Sequence, residues 1–198
     1  SPENADTAVF YSISNCQAGL RGVSFGNSLI KQVVEDLQAE VKSITTFVTL
    51  SPIPGFNSWL QRRLAEQPEA SETAEVLDLA VETGELGTLE EQPQWLRRQA
   101  ARYLIEEKGR SGMPLDPVAR FHLNNGAMVH DVHAGADLSV NGVRQSCGLM
   151  VNYLYDLRKI AQFHEKFAED HTVFASREVR TLADAAATHS NGRKMKNG

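Results

Sequence analysis

The chain has 198 residues, and 25 Asp and Glu against 20 Lys and Arg leave a formal charge of -5 at pH 7. This acidic balance argues against nucleic acid or a membrane as a partner, because both attract surfaces with a basic excess. The only two cysteines, Cys16 and Cys147, form no CxxC pair and are too few for a secreted disulfide scaffold. No apolar run approaches the roughly 20 residues that span a bilayer, and no secretory signal is recognisable, so the sequence predicts a cytoplasmic protein.

The first part of the chain predicts the order strand, glycine-rich loop, helix, strand. The first strand is "AVFYSIS", residues 8–14, in which β-branched and aromatic residues dominate. Apolar residues at helical spacing in residues 28–41 predict the helix, and "ITTFVTL", residues 44–50, predicts the second strand. Because so short a connection suits a crossover, we expect the two strands to be parallel neighbours in an α/β domain.

The later elements follow from periodicity and from the positions of proline and glycine. Residues 68–110 are expected to form a helical insertion, in which an acidic first part decorates the surface and a helix begins at Pro93. Farther along, "AMVHDVHA" and "GLMVNYLYDL" predict two strands, and Asn141 with Gly142 predicts a turn between them.

The chain is therefore expected to contain one domain and a tail. The domain covers residues 1–175 and includes short helices near 57–67 and 158–169. Residues 176–198 are expected to form a C-terminal tail that is disordered at its polar, glycine-containing end.

The loop "QAGLRG", residues 17–22, lies between the first predicted strand and helix. At such a place backbone N–H groups and the helix dipole can bind phosphate, and glycine permits the close approach. The loop matches neither GxGxxG nor GxxxxGK[ST], which excludes the Rossmann and Walker interpretations. A tight turn without a ligand explains the same residues equally well.

Ser51 and His122 occupy positions that suit a role in binding or catalysis. Ser51 follows a predicted strand, and open α/β sheets hold their ligands at the carboxyl ends of strands. A serine before proline is also a common turn residue, and no GxSxG motif supports a hydrolase. His122 can transfer protons near neutral pH, although a satisfied, half-buried histidine is the more common case.

Other histidines and tyrosines are weaker candidates. His130 and His133 suggest a metal site, but residues three apart on a strand point to opposite faces, which argues against zinc. On the last predicted strand, alternation places Tyr153 and Tyr155 on one face and Asn152 on the other. One tyrosine can therefore face a cleft, although packing with a peripheral hydroxyl is the more common explanation.

Four motifs in order carry a more specific signal than any single residue. The segments "FYSIS..Q.GL.G", "SPIPGF..WL", "DPVARFHL.NGA" and "S.GLMVNYLYDL" span roughly residues 8–157. Together they resemble the catalytic domain of malonyl-CoA decarboxylases. The resemblance implies a GNAT-type acyltransferase fold, with a mixed central sheet flanked by helices, which is partial in this chain. It also implies conversion of malonyl-CoA to acetyl-CoA and CO2 without a metal or an organic cofactor.

The resemblance implies roles for particular residues. Ser51 and His122 correspond to the catalytic pair of the family, and Tyr155 and Ser12 are expected near the substrate. Coenzyme A, which is part of the substrate, is expected to contact Gln17, Gly19, Leu20, Arg21, Gly22 and Asn125. The full-length protein is expected to be a homo-oligomer.

Decarboxylation would leave a thioester enolate, which the site must stabilise and then protonate. Ser51 is expected to hold the carboxylate or thioester oxygen, protonated His122 to supply the proton, and Tyr155 to orient the malonyl group. The alternative function is a non-catalytic acyl-CoA-binding or interaction fragment of the same fold. Acyl transfer to an amine is less favoured, because nothing in the sequence specifies an acceptor site.

Three features depart from the family pattern. Ser24 stands where animal members carry glutamate, and the sequence around His133 lacks a tryptophan that is familiar in the family, so His133 is expected to alter the pocket. The chain also starts almost at the strand before the glycine loop. The helical N-terminal domain and the first strands of the catalytic domain are therefore expected to be missing, which favours the binding alternative.

Overall fold

A computed structural model describes residues 5–11 and 26–192 of the chain. Within these residues lie four strands: β1 Thr7–Tyr11, β2 Thr46–Pro52, β3 Met128–His133 and β4 Met150–Leu154. The helices, in chain order, are α1 Gly26–Glu40, α2 Phe56–Ala65, α3 Ser71–Thr83, α4 Pro93–Ile105, α5 Pro117–Asn124, α6 Val140–Ser146, α7 Ile160–Asp170 and α8 Arg177–Gly192. Two short 3-10 helices, Pro68–Ala70 and Gly87–Glu91, flank α3.

The four strands form one mixed sheet in the order β1-β2-β4-β3. β1 and β2 are parallel, with Val9 opposite Val48, which confirms the predicted crossover through α1. β4 lies between β2 and β3 and is antiparallel to both, so that Thr49 of β2 lies opposite Tyr153. A mixed sheet flanked by helices confirms the predicted α/β fold class.

The two faces of this sheet differ in burial. Alternation along β2 places Phe47, Thr49 and Ser51 on one face, and each of them is at most 5% exposed. Tyr153 of β4 lies on the same face and is fully buried. On the opposite face, at β1, Tyr11 is 73% exposed. Ser51 therefore stands on the buried face, near the carboxyl end of β2.

The helices between residues 68 and 110 contribute to the core. Leu77 of α3, Leu89 of the second 3-10 helix, and Leu96 and Leu104 of α4 are each at most 2% exposed. The expected helices are present, but the expectation that the acidic first part only decorates the surface is wrong. Its acidic side chains lie on the outer side of α3, whereas the apolar positions at helical spacing pack inward.

A helix replaces the turn expected at Asn141 and Gly142. The Ser139 hydroxyl accepts a hydrogen bond from the Gly142 N–H at 3.1 Å and caps the N-terminus of α6. Gly142 is required inside this helix for packing, because an added Cβ would overlap Asp137. The same residues that are typical of a turn thus begin a short helix when a serine precedes them.

Helix α8 stands where a tail was expected from residue 176 onward. Val179 and Ala183 are fully buried, and the Ser176 hydroxyl accepts a hydrogen bond from the Val179 N–H at 3.1 Å. Just before the helix, Phe174 and Ser176 exchange backbone hydrogen bonds of 2.9 Å with Val129 on the outer edge of β3. In the described part of the chain, no helix has the length and apolar character needed to cross a membrane.

Candidate active site

His122 lies between two hydroxyl groups in the interior of the domain. Its Nε2 atom lies 3.2 Å from Ser51 Oγ, and its Nδ1 atom lies 2.8 Å from the Tyr155 hydroxyl. Ser51 is 5% exposed, and His122 and Tyr155 are each 2% exposed. Three residues that are far apart in the sequence, and that were predicted to be catalytic, thus form one buried hydrogen-bonded row.

The end of β2 positions Ser51. The residue lies opposite Val151 of β4, and Pro52 is the last residue of the strand. Ser51 Oγ donates a hydrogen bond to Thr49 Oγ1 at 3.1 Å. Thr49 was not selected from the sequence, although a spacing of two along a strand places both side chains on one face and would have identified it.

Helix α5 positions His122. The Asp116 carboxylate accepts a hydrogen bond from the Ala119 N–H at 2.8 Å, and Pro117 occupies the first helical position. Ala119, His122 and Leu123 then follow at the spacing that shares one helix face, and all three are buried. The N-terminal cap therefore fixes the start of the helix, and the helical period turns the imidazole inward.

Tyr153 holds the plane of the imidazole. Its ring stacks on His122 with a centroid separation of 4.4 Å and an interplanar angle of 20°. Tyr155 lies on the same side, as the alternation predicted, while Asn152 turns away and donates to the Thr49 carbonyl oxygen at 2.6 Å. Tyr153 is a site residue that sequence reasoning considered but did not select, because nothing local distinguishes a stacking ring from an ordinary core tyrosine.

Burial determines the protonation states of the row. Desolvation lowers the pKa of His122 to about 3 and raises the pKa of Tyr155 above its usual value. At neutral pH the imidazole is therefore neutral and the phenol keeps its proton. A neutral imidazole donates from one nitrogen and accepts at the other, so His122 connects the hydroxyls of Ser51 and Tyr155 in either tautomer. The expected role of a protonated His122 in delivering the proton stays a prediction.

We expect His122 to destabilise the fold at acidic pH. Its pKa is 6.5 in an unfolded chain and about 3 in the folded one, so the unfolded state binds more protons between these values. The free energy of unfolding should therefore fall as the pH drops through this window. Urea titrations at several pH values should show a shallower dependence for His122→Asn than for the parent. Equal slopes would contradict a buried neutral imidazole.

The remaining predicted binding residues fall into two groups. Asn125 caps the C-terminus of α5, is 7% exposed, and donates its N–H to the His122 carbonyl oxygen at 3.1 Å. Its backbone therefore belongs to the segment that carries the imidazole. Outside the described residues lie Ser12, Gln17, Gly19, Leu20, Arg21, Gly22 and Ser24.

The two histidines of β3 lie outside this row. His130 is exposed, whereas His133 Nε2 contacts Asn152 Oδ1 and lies 3.7 Å from Asp131 Oδ2. Arg97 of α4 donates to the same aspartate at 3.0 Å, so this region is an ion-pair network. Across residues 5–11 and 26–192, no group of three or more His, Cys, Asp and Glu side chains is arranged to hold a metal ion.

The fold and the site define an α/β domain in which a serine, a histidine and a tyrosine form one buried hydrogen-bonded row. A family model described as the malonyl-CoA decarboxylase C-terminal domain matches residues 1–193. The chain belongs to this family, and the resemblance carried by the four motifs is confirmed.

Solved structures and curated sequences agree with this assignment. Malonyl-CoA decarboxylase from Rhodopseudomonas palustris is 46% identical, with a TM-score of 0.78 over 91% of this chain and 43% of that one. The structure from Agrobacterium vitis is 44% identical, with a TM-score of 0.80 over 92% of this chain and 46% of that one. The curated enzyme of Rattus norvegicus is 39% identical over 199 residues, which cover 88% of this chain and 40% of the relative.

The curated relatives also bear on length and location. The protein from Anser anser anser is 38% identical over 89% of this chain, and the match again covers 40% of the relative. The chain thus spans about 40% of the length of these proteins. Both are named mitochondrial malonyl-CoA decarboxylases, which contradicts the predicted cytoplasmic location. The prediction relied on the lack of a recognisable secretory signal, and that lack does not specify a compartment.

Proposed function

We propose that this chain carries the catalytic site for decarboxylation of malonyl-CoA to acetyl-CoA and CO2. The observation that supports the proposal is the buried row in which His122 lies between Ser51 and Tyr155. Family membership and the names of the relatives indicate the substrate. Because the chain spans about 40% of those relatives, their activity comes to it as a proposal.

The reaction breaks the bond between the carboxylate carbon and the α-carbon of the malonyl group. The electron pair of that bond moves into the thioester carbonyl and forms an enolate, CO2 leaves, and the α-carbon then takes up one proton. A site accelerates such a step by donating hydrogen bonds to the oxygen on which charge develops and by excluding water from the carboxylate. Buried hydroxyl groups at the end of a strand meet both requirements.

In this mechanism Ser51 donates a hydrogen bond to the thioester oxygen. Its proton, which otherwise turns to Thr49 Oγ1 at 3.1 Å, is free to rotate toward a substrate at the carboxyl end of β2. While the Ser51 proton points to Thr49, Ser51 Oγ accepts from His122 Nε2–H, so Nδ1 accepts a hydrogen bond from the Tyr155 hydroxyl. We thus assign Tyr155 to the orientation of the imidazole.

His122 acquires an additional proton only when the substrate is bound. Burial lowers its pKa to about 3, but a carboxylate nearby, and the enolate that replaces it, favour the imidazolium. The imidazolium protonates the α-carbon and becomes neutral again. Each turnover therefore consumes one proton, which balances the negative charge lost with the carboxylate.

Incubation of the purified chain with malonyl-CoA tests the proposal, with acetyl-CoA followed by mass spectrometry. In D2O the acetyl-CoA should carry one deuterium in its methyl group, because the added proton comes from solvent. Binding without product would support the alternative, a non-catalytic acyl-CoA-binding fragment of the same fold. An acylated amine, formed only when an amine is supplied, would support acyl transfer.

We expect turnover to be unaffected by EDTA. The thioester carbonyl itself accepts the electron pair, and hydroxyl and imidazole donors provide the stabilisation, so the proposed chemistry needs neither a metal nor an organic cofactor. Steady-state rates measured with and without the chelator check this expectation. A loss of rate that added zinc restores would contradict it.

A further inference from the structure

Gly55 lies at a close meeting point of three elements. It is the N-cap of α2, with φ of -92° and ψ of -5°, a conformation that any residue adopts. An added Cβ would overlap the hydroxyl oxygen of Tyr103 on α4 and would lie 3.9 Å from Oδ2 of Asp116, the N-cap of α5. Glycine is therefore needed at this position for space and not for backbone conformation.

Tyr103 has little freedom to move away from Gly55. The side chain is 2% exposed, and its ring packs against Phe56 at a centroid separation of 6.0 Å and against Trp59 at 5.2 Å. Interiors are close-packed, so a group placed against this ring displaces the ring together with the backbone around it. A side chain at position 55 would push α2 and α4 apart.

Asp116 joins the same contact from the other side. It is fully buried, and its Oδ1 accepts the Ala119 N–H at 2.8 Å. Burial raises the pKa of Asp116, and the N–H groups of Ala119, Gly55 and Val118 oppose that shift. The Gly55 amide is thus close enough to act on the carboxylate, although Oδ2 makes no hydrogen bond within the described residues.

The two segments that carry Ser51 and His122 both begin or end at this contact. Ser51 lies four residues before Gly55, and the intervening segment contains Pro52 and Pro54, whose φ angles are fixed, and the fully buried Ile53. His122 lies six residues after Asp116 along the single helix α5. Because both segments are rigid, a displacement at the contact also moves Ser51 or His122.

We propose that Gly55, Tyr103 and Asp116 form a spacer that sets the distance between Ser51 and His122, with Asp116 as its positioning residue. None of the three belongs to the Ser51, His122 and Tyr155 row. The spacer acts on turnover by holding the start of α2 and the start of α5 in one relative position. Its effect on catalysis rests on the proposed decarboxylation, whereas its effect on the geometry of the row does not.

Gly55→Ala in the 198-residue chain tests the spacer directly. Alanine adopts the Gly55 conformation without strain, so the overlap with the Tyr103 hydroxyl is the dominant change. We expect kcat to fall about tenfold to a hundredfold with KM within about threefold, because a displacement near 1 Å has effects of this size. Adding Tyr103→Phe removes the overlapping oxygen and leaves the ring carbon at 3.4 Å, so it should restore most of the lost kcat.

Gly109→Ala is the matched control. An added Cβ there meets Leu115 at 3.7 Å and the Met113 carbonyl oxygen at 3.8 Å, which are ordinary contacts, and kcat should stay at the parental value. A conservative pair at Asp116 adds a second test. Asp116→Ala should lower kcat, whereas Asp116→Asn, which preserves the cap, should retain much more of it.

The 15N chemical shifts of the His122 imidazole supply a readout that does not depend on turnover. They should change in Gly55→Ala and return toward the parental values in Gly55→Ala/Tyr103→Phe. This result in a chain that lacks decarboxylase activity would support the spacer and reject the proposed function. Parental kcat and parental shifts in Gly55→Ala, or a folded double variant without recovery, would overturn the spacer. If Gly55→Ala does not fold, a folded double variant with parental shifts supports the spacer, and an unfolded one overturns it.

Discussion

Replacing His122 with asparagine is expected to reduce turnover of malonyl-CoA by about a hundredfold or more. Asparagine retains a hydrogen-bonding side chain of moderate size but cannot deliver a proton. Binding of coenzyme A should change little, because the proton is needed at the acyl end of the substrate. Steady-state kinetics and calorimetric titration with coenzyme A measure the two effects separately.

The control for this variant is the same change at an exposed histidine. His130→Asn, on β3, should keep the parental turnover. A rate near the parental value in His122→Asn, with unchanged melting temperature, would reject the proton-transfer role. A collapse in melting temperature would instead assign His122 to the core, where it stacks on Tyr153 at 4.4 Å.

Replacing Ser51 with alanine is expected to lower turnover by a similar factor, about a hundredfold or more. The change removes the hydroxyl that lies 3.2 Å from His122 Nε2, and with it the proposed donor to the developing enolate. Stability should fall by about 1–3 kcal/mol, because Thr49 and His122 each lose a buried hydrogen-bond partner. Turnover and urea unfolding, measured on the same preparation, distinguish the two losses.

Ser146→Ala supplies a matched control for the buried serine. Ser146 is 2% exposed and donates to the Leu149 carbonyl oxygen at 2.8 Å, away from the row. Its loss should reduce stability by an amount comparable to that of Ser51→Ala and leave turnover at the parental value. Equal losses of turnover in the two variants would show that Ser51 acts through stability alone.

Residue types and their spacing correctly predicted the first two strands, the helix between them and the shared face of two tyrosines. β1 and β2 were predicted from β-branched residues, and α1 from apolar residues at helical spacing. Such predictions succeed because the buried side chains of a strand or an amphipathic helix recur with the period of that element. The parallel pairing of β1 with β2 followed from the length of the crossover. The shared face of Tyr153 and Tyr155 followed from alternation alone.

Patterns failed where a distant partner decides the outcome. α8 was predicted to be a polar tail, but Val179 and Ala183 are buried. Their burial requires other elements of the fold to pack against them. The leucines of the acidic stretch are core residues for the same reason. α6 was read as a turn, because Asn141 and Gly142 favour turns unless a cap and close packing select the helix. Burial against another element overrides such weak local preferences.

The sequence by itself determined the family, because four motifs in the same order are more specific than the spacing of any single pair of residues. The family resemblance then selected Ser51, His122 and Tyr155. Only the tertiary structure decided that these three residues form a row with contacts of 3.2 and 2.8 Å. It also decided that His122 is neutral before substrate binds, since the desolvation that lowers its pKa to about 3 comes from burial by the surrounding fold. Residue types and their spacing can select a proton carrier, but the charge it carries depends on the dielectric surroundings that packing creates.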